Sequence, residues 1–478
     1  MNVISKMGYG IGQLSDGTKQ AAFTTFLFFY YNQVLGLSGS LAGLAALLAL
    51  VADAITDPMV GHLSDRLRSK WGRRHPYMLA GVIPFFIAMY ALFSPPGDMS
   101  QLQLFSWMLG MAIALRFALT LFYVPHLSLG AELVDDYHEK TSLIGYRVFF
   151  NYAGIVLVSV IGFAVFFPAT EAYPNGLLNA ESYSGFGLFC AVIASSAMLV
   201  SIYSTRKAIP HLRDPEINSG NKVHPVMAVF EVLRTLKLKS FRNIFFVILL
   251  FASLAGLSQT LLVYTATYVF GFTAEHLAGL SMSIVVGLVL ASVVAQKLSK
   301  RFDKRKSLAI CVTLGCFTAF TPITLYVFGI LQLMDFGTKF LLVFIMNGIS
   351  QIFFIAYVIL IDSMLSDVID ENEFNTGNRE EGLFFAARSF ATKASFGIGA
   401  LMAGIALDVI ALPKNALATE VAPETVNLLA ILGGPGLMLF FMSTILISRN
   451  YPLNEARHQE IMAGIKLNNE KKAALAEA

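Results

Sequence analysis

Two aspartates within an apolar stretch are the residues whose types and spacing most directly suggest chemistry. Asp53 and Asp57 stand four residues apart in the segment LVADAITDP, residues 50–58, which places both carboxylates on one face of a helix. Two unpaired carboxylates on one face repel each other, so they must share a cation, share a proton or meet a basic residue. Thr56 adds a hydroxyl oxygen, a ligand type that hard cations prefer. The segment therefore predicts a cation site, and the alternative is a charge network that ties this helix to a neighbour.

A second polar face lies in the apolar stretch near residues 102–128. Arg116, Thr120 and Tyr123 follow one another at spacings of four and three, and His126 comes one turn later. These spacings put the side chains on one helix face, which is typical of a lining and not of a lipid-facing surface. Arg116 could neutralise the two aspartates, or it could bind an anionic group of a substrate. The sequence leaves both possibilities open.

Two more basic residues lie within apolar stretches. Arg147 stands near the start of one stretch, and Lys393 lies well inside another. Snorkelling to a membrane interface is the ordinary explanation for such residues. Lys393 lies too deep in its stretch for that explanation to be preferred.

The elements that position these residues are membrane-spanning helices. Of the 478 residues, 56% are hydrophobic and only 14% are charged, against about 45–50% and about 25% in soluble domains. The net charge of +3 is too small to indicate nucleic acid, so no nucleic-acid partner is expected. The cysteines lie in apolar stretches without metal-ligand spacing, which predicts buried side chains and no disulfide; they are Cys190, Cys311 and Cys316.

Twelve stretches reach the length of about 20 apolar residues that a spanning helix needs. They lie near residues 12–36, 41–63, 76–95, 102–128, 145–168, 185–204, 243–270, 277–297, 307–331, 338–363, 383–411 and 426–447. The pattern predicts an all-α polytopic membrane protein with twelve transmembrane helices in two six-helix bundles. The predicted divisions are a first bundle over 1–204, a cytoplasmic linker over 205–242, a second bundle over 243–447 and a tail over 448–478.

Basic residues in short loops predict the orientation. The loop after the second span and the loop after the eighth are rich in Lys and Arg, whereas residues 35–40, 94–101 and 270–278 carry almost no charge. Because Lys and Arg stay on the cytoplasmic side, both termini are expected in the cytoplasm. The expected location is a cell (inner) membrane, crossed many times.

The two halves of the chain also resemble each other. Residues 60–66 (VGHLSDR) follow the second span, and residues 294–305 (VAQKLSKRFDKR) follow the eighth. Such repeats are typical of transporters that hold the substrate at mid-membrane between two bundles. The alternative is that any cytoplasmic loop is basic.

Several longer motifs carry a family resemblance. They are residues 8–12 (GYGIG), 30–37 (YYNQVLGL), 53–58 (DAITDP), 61–77 (GHLSDRLRSKWGRRHPY), 366–373 (SDVIDENE) and 377–382 (GNREEG). With these motifs the chain resembles the glycoside-pentoside-hexuronide cation symporters of the major facilitator superfamily, over nearly its whole length. The resemblance implies the fold of that superfamily and cation-coupled uptake of a solute.

The resemblance also implies roles for individual residues. It assigns Asp53, Thr56, Asp57 and Thr120 to the coupling-cation site, and Arg147 and Lys393 to supporting charges near the substrate cavity. The family has Asn more often than Thr at position 56, so sodium and proton both remain open.

The sugar site of the family's galactoside carriers is not matched. Those carriers place aspartates where this chain has Gly17 and Tyr123, and a tryptophan where it has Leu127. Asp16 lies beside Gly17, but one residue rotates a helical side chain by about 100°. A galactoside is therefore not implied.

The expected function is uptake of a glycoside, sugar acid or related polar solute, driven by sodium or proton entry. The substrate-binding candidates are Asp16, Arg116, Tyr123, His126, Arg147 and Lys393, and the gating candidates are Asp65, Arg66, Arg73, Arg74, Asp367, Asp370 and Arg379. No cofactor beyond the cation is expected, and a monomer is the expected state. The alternatives are a cation-coupled symporter of a lysolipid or other amphiphile, and a membrane receptor or scaffold without transport. No enzyme motif is found, which argues against catalysis.

Overall fold

The computed structural model describes residues 2–67, 69–134, 136–211 and 234–477. The middle of the predicted linker, with Arg213, Asp214 and Lys222, lies outside these residues. Within the described ranges the regular secondary structure is entirely helical.

The helices of the first half follow the predicted spans. They are α1 (Val3–Gly10), α2 (Leu14–Ala21), α3 (Gly39–Arg66), α4 (His75–Leu92), α5 (Gln101–Glu132), α6 (Tyr137–Ile161) and α7 (Ala180–Thr205). Helices of the 3₁₀ type cover Ile11–Gln13, Gly176–Leu178 and Arg206–His211, and π-helical turns cover Ala22–Leu27, Tyr30–Val34 and Gly162–Phe166.

The helices of the second half also follow the predicted spans. They are α8 (Lys239–Tyr264), α9 (Ala274–Ser281), α10 (Ser283–Arg301), α11 (Lys304–Val327), α12 (Phe336–Thr376), α13 (Glu381–Val409), α14 (Pro423–Ile431), α15 (Leu437–Ser448) and α16 (Glu455–Glu477). A 3₁₀ turn covers Leu331–Leu333, and π-helical turns cover Thr265–Val269 and Leu432–Gly436.

In the described ranges, eleven helical stretches are long and apolar enough to cross a membrane. The predicted first span is not among them because 3₁₀ and π-helical turns divide its helix into short segments between Val3 and Val34. Such turns shift the register of the backbone and are often found at functional sites. Together with this divided helix, the stretches account for the twelve predicted spans.

Helix α12 is longer than its predicted span. It continues past residue 363 to Thr376 and ends at Gly377, whose left-handed backbone (φ 74°) caps the helix. The added turns carry Asp367 and Asp370. A length criterion based on membrane thickness cannot detect them, since they are more polar than the span.

The described contacts group the chain into two compact units. One contains residues 1–222, 256–282 and 397–429, and the other contains residues 223–255, 283–396 and 430–478. In the first unit, α3 packs closely on α13: a side chain at Gly39 would meet the backbone oxygen of Gly404 at 2.4 Å. Asp408 then accepts hydrogen bonds from the backbone amides of Gly39 and Ser40, at 2.7 Å each, and so caps the start of α3.

Aromatic packing and the C-terminal helix organise the second unit. Phe251 on α8 stacks on Tyr357 of α12 with ring centroids 3.7 Å apart. Helix α16 lies against the polar extension of α12, where Ile461 is 1% exposed. A side chain at Gly464 would meet the ring of Phe374. The charged tail therefore begins as a docked helix.

Candidate ion and solute site

Helices α3 and α5 pack along each other and bring the two predicted polar faces together. Asp53, Arg116 and Thr120 are buried there, with exposed fractions of 8%, 8% and 3%. An intramembrane charge is costly unless it is paired. The pairing at this site therefore decides what the aspartates can do.

A short chain of contacts joins the charged groups. The Arg116 guanidinium donates from Nη1 to Oδ2 of Asp53 at 3.2 Å. The hydroxyl oxygen of Thr120 lies 2.8 Å from Oδ1 of Asp57 and 3.3 Å from Oδ1 of Asp53. Arg116 therefore neutralises Asp53, the first of the two possibilities that the sequence left open, and Thr120 links the two carboxylates.

A ring from the divided first helix helps to hold Arg116. Phe23, in the π-helical turn Ala22–Leu27, lies with its centroid 5.1 Å from the guanidinium carbon, within range of a cation–π contact. The buried Nε of Arg116 has no hydrogen-bond partner among the described residues.

The Thr56 hydroxyl forms a hydrogen bond within its own helix. It donates to the backbone oxygen of Asp53 at 3.3 Å, a common bond for Thr inside a helix. Thr120, on the neighbouring helix, is the hydroxyl that contacts both carboxylates.

A second polar cluster joins α2 to α6. Asp16 forms an ion pair with Lys19 at 2.9 Å and accepts a hydrogen bond from Asn151 at 3.0 Å. The neighbouring Gly17 lies directly against α6, where a side chain would meet the backbone oxygen of Asn151 at 2.0 Å. The position that carries an aspartate in galactoside carriers thus has no room for a side chain in this chain.

His126 is fully buried, and both of its ring nitrogens are engaged. Nδ1 faces Nε2 of Gln13 at 3.2 Å, and Nε2 faces the backbone oxygen of Tyr9 at 2.9 Å. The ring also stacks on Tyr9 at 4.3 Å. A neutral imidazole with its proton on Nε2 satisfies both contacts, which favours a packing role over solute binding.

The remaining substrate candidates lie on three helices. Tyr123 on α5 is half-buried and interacts electrostatically with Asp16, Asp57 and Arg147. Arg147 on α6 is also half-buried and interacts with Tyr9. Lys393 lies half-buried within α13.

The basic residues after the second span anchor on the end of α5. The side chains of Arg73 and Arg74 contact Oε1 of Glu132 at 2.7 and 3.1 Å, and Arg74 also donates to Ser64 at 3.0 Å. Glu132 is the last residue of α5. The side chains of Asp65 and Arg66, at the end of α3, lie outside the described part of the structure.

The second half contains an equivalent contact. Lys304, the first residue of α11, contacts both carboxylate oxygens of Asp367 on α12 at 2.7 Å. As with Arg74 and Glu132, a basic residue at the start of one helix thus pairs with an acidic residue near the end of the next. This contact extends the internal repeat that the sequence predicts.

A charged cluster surrounds the end of α12. His458 on α16 lies 3.0 Å from Asp370 and 3.5 Å from Asp367, and these three side chains are close enough to hold a metal ion. Lys304 and Arg379 already compensate the two carboxylates. The hydrogen bonds that Arg379 donates to Glu373, Glu381 and Asp370 raise the pKa of Arg379 above its ordinary value. The cluster is therefore well suited to docking α16.

With this geometry established, comparison with known proteins decides the family. A sequence model of the family described as MFS/sugar transport protein matches residues 8–455. The chain belongs to the MFS/sugar transport protein family. This membership confirms the predicted major facilitator fold, and it makes the chain an integral, multi-pass membrane protein of a transporter family.

Similar proteins in this family are named as symporters or transporters. The chain is 25% identical to the "Putative glycoside/cation symporter YagG" of Escherichia coli (strain K12), over 95% of this chain and 93% of that protein. It is 23% identical to the "Isoprimeverose transporter" of Lactiplantibacillus pentosus, over 84% and 79%. These similarities confirm the resemblance to glycoside cation symporters.

Solved structures agree on the fold. The crystal structure of a bacterial homologue of the iron transporter ferroportin in an inward-facing state matches with a TM-score of 0.63. It covers 94% of this chain and 99% of that one, at 13% sequence identity. At that identity the likeness concerns the fold alone.

Some residues of the site were not found from the sequence. Glu132, Lys19, Asn151 and His458 all form polar contacts with candidate residues. Only Lys19 carried a local signal, since it stands three residues after Asp16 on the same helix face. The others depend on which helices pack together.

Proposed function

We propose that this protein couples the entry of sodium or protons to the uptake of a glycoside, sugar acid or related polar solute, by alternating access. The observation that carries the proposal is the cluster of Asp53, Asp57, Arg116 and Thr120, in which Asp57 is half-buried and the other three are buried. In this cluster two carboxylates lie beside one guanidinium, and the Thr120 hydroxyl oxygen lies within 3.3 Å of both carboxylates.

The position of the cluster supports ion coupling. A charge at the bilayer centre costs at least about 2.5–3.5 kcal/mol on insertion scales. Three ionisable side chains on α3 and α5 are therefore more than helix packing requires. A bound cation would add positive charge beside the two carboxylates, and its release would remove that charge. Such a change can bias a carrier between two conformations.

The second polar cluster supports a solute that carries hydroxyl or acidic groups. Asp16, Lys19 and Asn151 offer hydrogen-bond donors and acceptors on α2 and α6, and Arg116 offers its Nε. We assign solute contacts to these residues together with Tyr123, Arg147 and Lys393. The named activities of the glycoside and isoprimeverose carriers fit the same class of solute.

The charged ends of the helices are assigned to gating. The Arg74–Glu132 and Lys304–Asp367 pairs would hold one face of the carrier closed and would part when it opens. Both would lie on the cytoplasmic side, with both termini, if the basic loops follow the positive-inside rule. Asp65, Arg66, Arg73, Asp370 and Arg379 belong to the same assignment.

Uptake into proteoliposomes tests the proposal. Labelled glycosides, sugar acids and lysolipids would be offered with and without an inward sodium or proton gradient. The native chain is expected to accumulate a glycoside or sugar acid only with a gradient, and Asp57→Asn is expected to lose this accumulation. Asp98→Asn is a matched control because Asp98 lies in a loop, with a φ of 55° that Asn also adopts readily.

Each other outcome has a clear meaning. Gradient-driven accumulation of a lysolipid alone would replace the proposed cargo by an amphiphile. Accumulation that ignores both the gradient and the Asp57→Asn substitution would remove the ion-coupling role from the cluster. Binding of a solute without any transport would favour a receptor.

A further inference from the structure

We propose that Asp408 is the releasable latch of an outer gate, which consists of the contacts of α3 with α13 and of the first helix with the end of α8. The inference rests on the proposed function and deepens it, because a carrier that works by alternating access needs a gate on each face. Its evidence lies within one compact unit. That unit joins residues 1–222 to residues 256–282 and 397–429 of the second half.

Asp408, on α13, caps a helix of the other half of the chain. The first backbone amides of a helix have no partner within the helix, and the Ser38 hydroxyl accepts from that of Leu41 at 3.3 Å. Asp408 accepts from the amides of Gly39 and Ser40 at 2.7 Å each, and from the Ser40 hydroxyl at 2.6 Å. Its negative charge also suits the positive end of the helix dipole. The two halves thus complete one helix start together.

The backbones of α3 and α13 touch next to this cap. A side chain at Gly404 would meet the backbone oxygen of Gly39 at 2.0 Å. One turn further along α3, a side chain at Gly43 would meet the Cα atom of Leu401 at 2.6 Å. A solute has no space to pass between backbones this close. The seam opens only if α13 moves away from α3, and that movement breaks the contacts of Asp408.

Two tyrosines at the end of α8 close the same face against the first helix. The Tyr264 hydroxyl donates to Asn32 at 2.8 Å, and the Tyr268 hydroxyl donates to Gln33 at 3.1 Å. These four side chains are at most 4% exposed. Asn32, Gln33 and Tyr268 lie in π-helical turns, which are common at functional sites. The first helix of each half therefore meets the other through an irregular turn.

Asp408 lies at the rim of this gate, where water can replace its partners. Its side chain is 29% exposed, and Lys414 lies 3.9 Å away with a side chain that is 30% exposed. A hydrogen bond lost near water is exchanged for one to water, so its net cost is small. Asp408 can therefore release α3 and bind it again. Loops 35–40 and 270–278 of this unit carry almost no charge, as expected of the outer side of a membrane.

Labelling of a cysteine at position 267 tests the gate without knowledge of the solute. Thr267 is 3% exposed, and its hydroxyl has no hydrogen-bond partner among the described residues. Thr267→Cys therefore removes no hydrogen bond from them. Intact cells would be treated with a membrane-impermeant maleimide, and the labels would be counted from the mass of the purified protein. Asp408→Ala is expected to raise the labelling rate of this cysteine about fivefold, the typical effect of a lost helix cap.

Asp335→Ala is the matched control. Asp335 caps the start of its own helix, α12, because it accepts from the backbone amide and the hydroxyl of Thr338 at 2.9 and 2.7 Å. Loss of this cap should leave the labelling of Thr267→Cys unchanged. Unfolding is detected separately, since the buried native cysteines would then be labelled as well; they are Cys190, Cys311 and Cys316. One added label reports an open gate, and several report unfolding.

Tyr268→Phe covers the case in which Asp408→Ala unfolds. It removes the hydroxyl that contacts Gln33 and the backbone oxygen of Ala416, at 3.1 and 3.2 Å, and it should also raise the labelling rate. An unchanged rate in the folded variants, or an equal rise in Asp335→Ala, would overturn the inference. Such a result removes the outer gate but leaves ion-coupled uptake intact, which the uptake assay tests by itself.

Discussion

At the scale of single residues, the buried Arg116–Asp53 pair shows what geometry two charges need when they are removed from water. Taking two ions out of water costs several kcal/mol for each ion, and their attraction repays that cost only with good geometry. The 3.2 Å contact, the Phe23 ring and the Thr120 hydroxyl supply that geometry.

At the residue scale, we predict that replacing Glu132 destabilises the protein. Glu132→Gln removes the negative charge that faces Arg73 and Arg74, and the side chain of Arg74 is only 6% exposed. Loss of one partner of a buried ion pair costs about 3–5 kcal/mol. A clear fall in the thermal unfolding temperature of the purified protein is therefore expected.

The control for this prediction is an exposed pair on the C-terminal helix. Glu460→Gln disrupts the contact with Arg457 at 2.7 Å, where the side chains are 65% and 53% exposed. Exposed pairs contribute about 0–1 kcal/mol, so this variant should unfold close to the native temperature. Equal unfolding temperatures for Glu132→Gln and Glu460→Gln would mean that Glu132 does not anchor the loop that contains Arg73 and Arg74.

At the scale of helices, the close contact of α2 with α6 explains why the site differs from that of galactoside carriers. Gly17 is the residue that permits the approach, because a side chain there would overlap the backbone of α6. The solute contacts are therefore expected from Asp16, Lys19 and Asn151, on either side of this contact.

Gly17→Ala is the prediction that tests this contact. The added methyl group would lie 2.0 Å from the backbone oxygen of Asn151, and the helices must separate to admit it. Overpacking costs typically about 1–3 kcal/mol, and a backbone clash cannot be relieved by a new rotamer. The variant is expected to unfold at a lower temperature and to lose uptake. Gly110→Ala is the control, because a side chain at Gly110 would meet open space.

The helices themselves were largely predictable from the sequence, because membrane thickness fixes their length. The spacing of Asp53, Arg116 and Thr120 also placed them on helix faces, and the structure brings these three side chains into contact. What the sequence did not reveal is the choice of partner: that Thr120 and not Thr56 joins the carboxylates, and that Glu132 receives the loop. These contacts depend on the packing of distant segments, which no local pattern encodes.

At the scale of the whole molecule, the repeat between the halves is visible in their contacts. Arg74 pairs with Glu132 in one unit, and Lys304 pairs with Asp367 in the other. Each pair joins the start of one helix to the end of the next. Under the proposed gating, both pairs hold the same face of the carrier closed and part together when that face opens.

The central claim is that a cation enters together with the transported solute through the α3–α5 cluster. Its most direct test is the flux of protons and sodium into proteoliposomes when the identified solute is added without any preset gradient. The native chain should carry protons or sodium into the lumen on addition of solute, and Asp57→Asn should carry neither. Solute entry by the native chain that moves neither protons nor sodium would contradict the account.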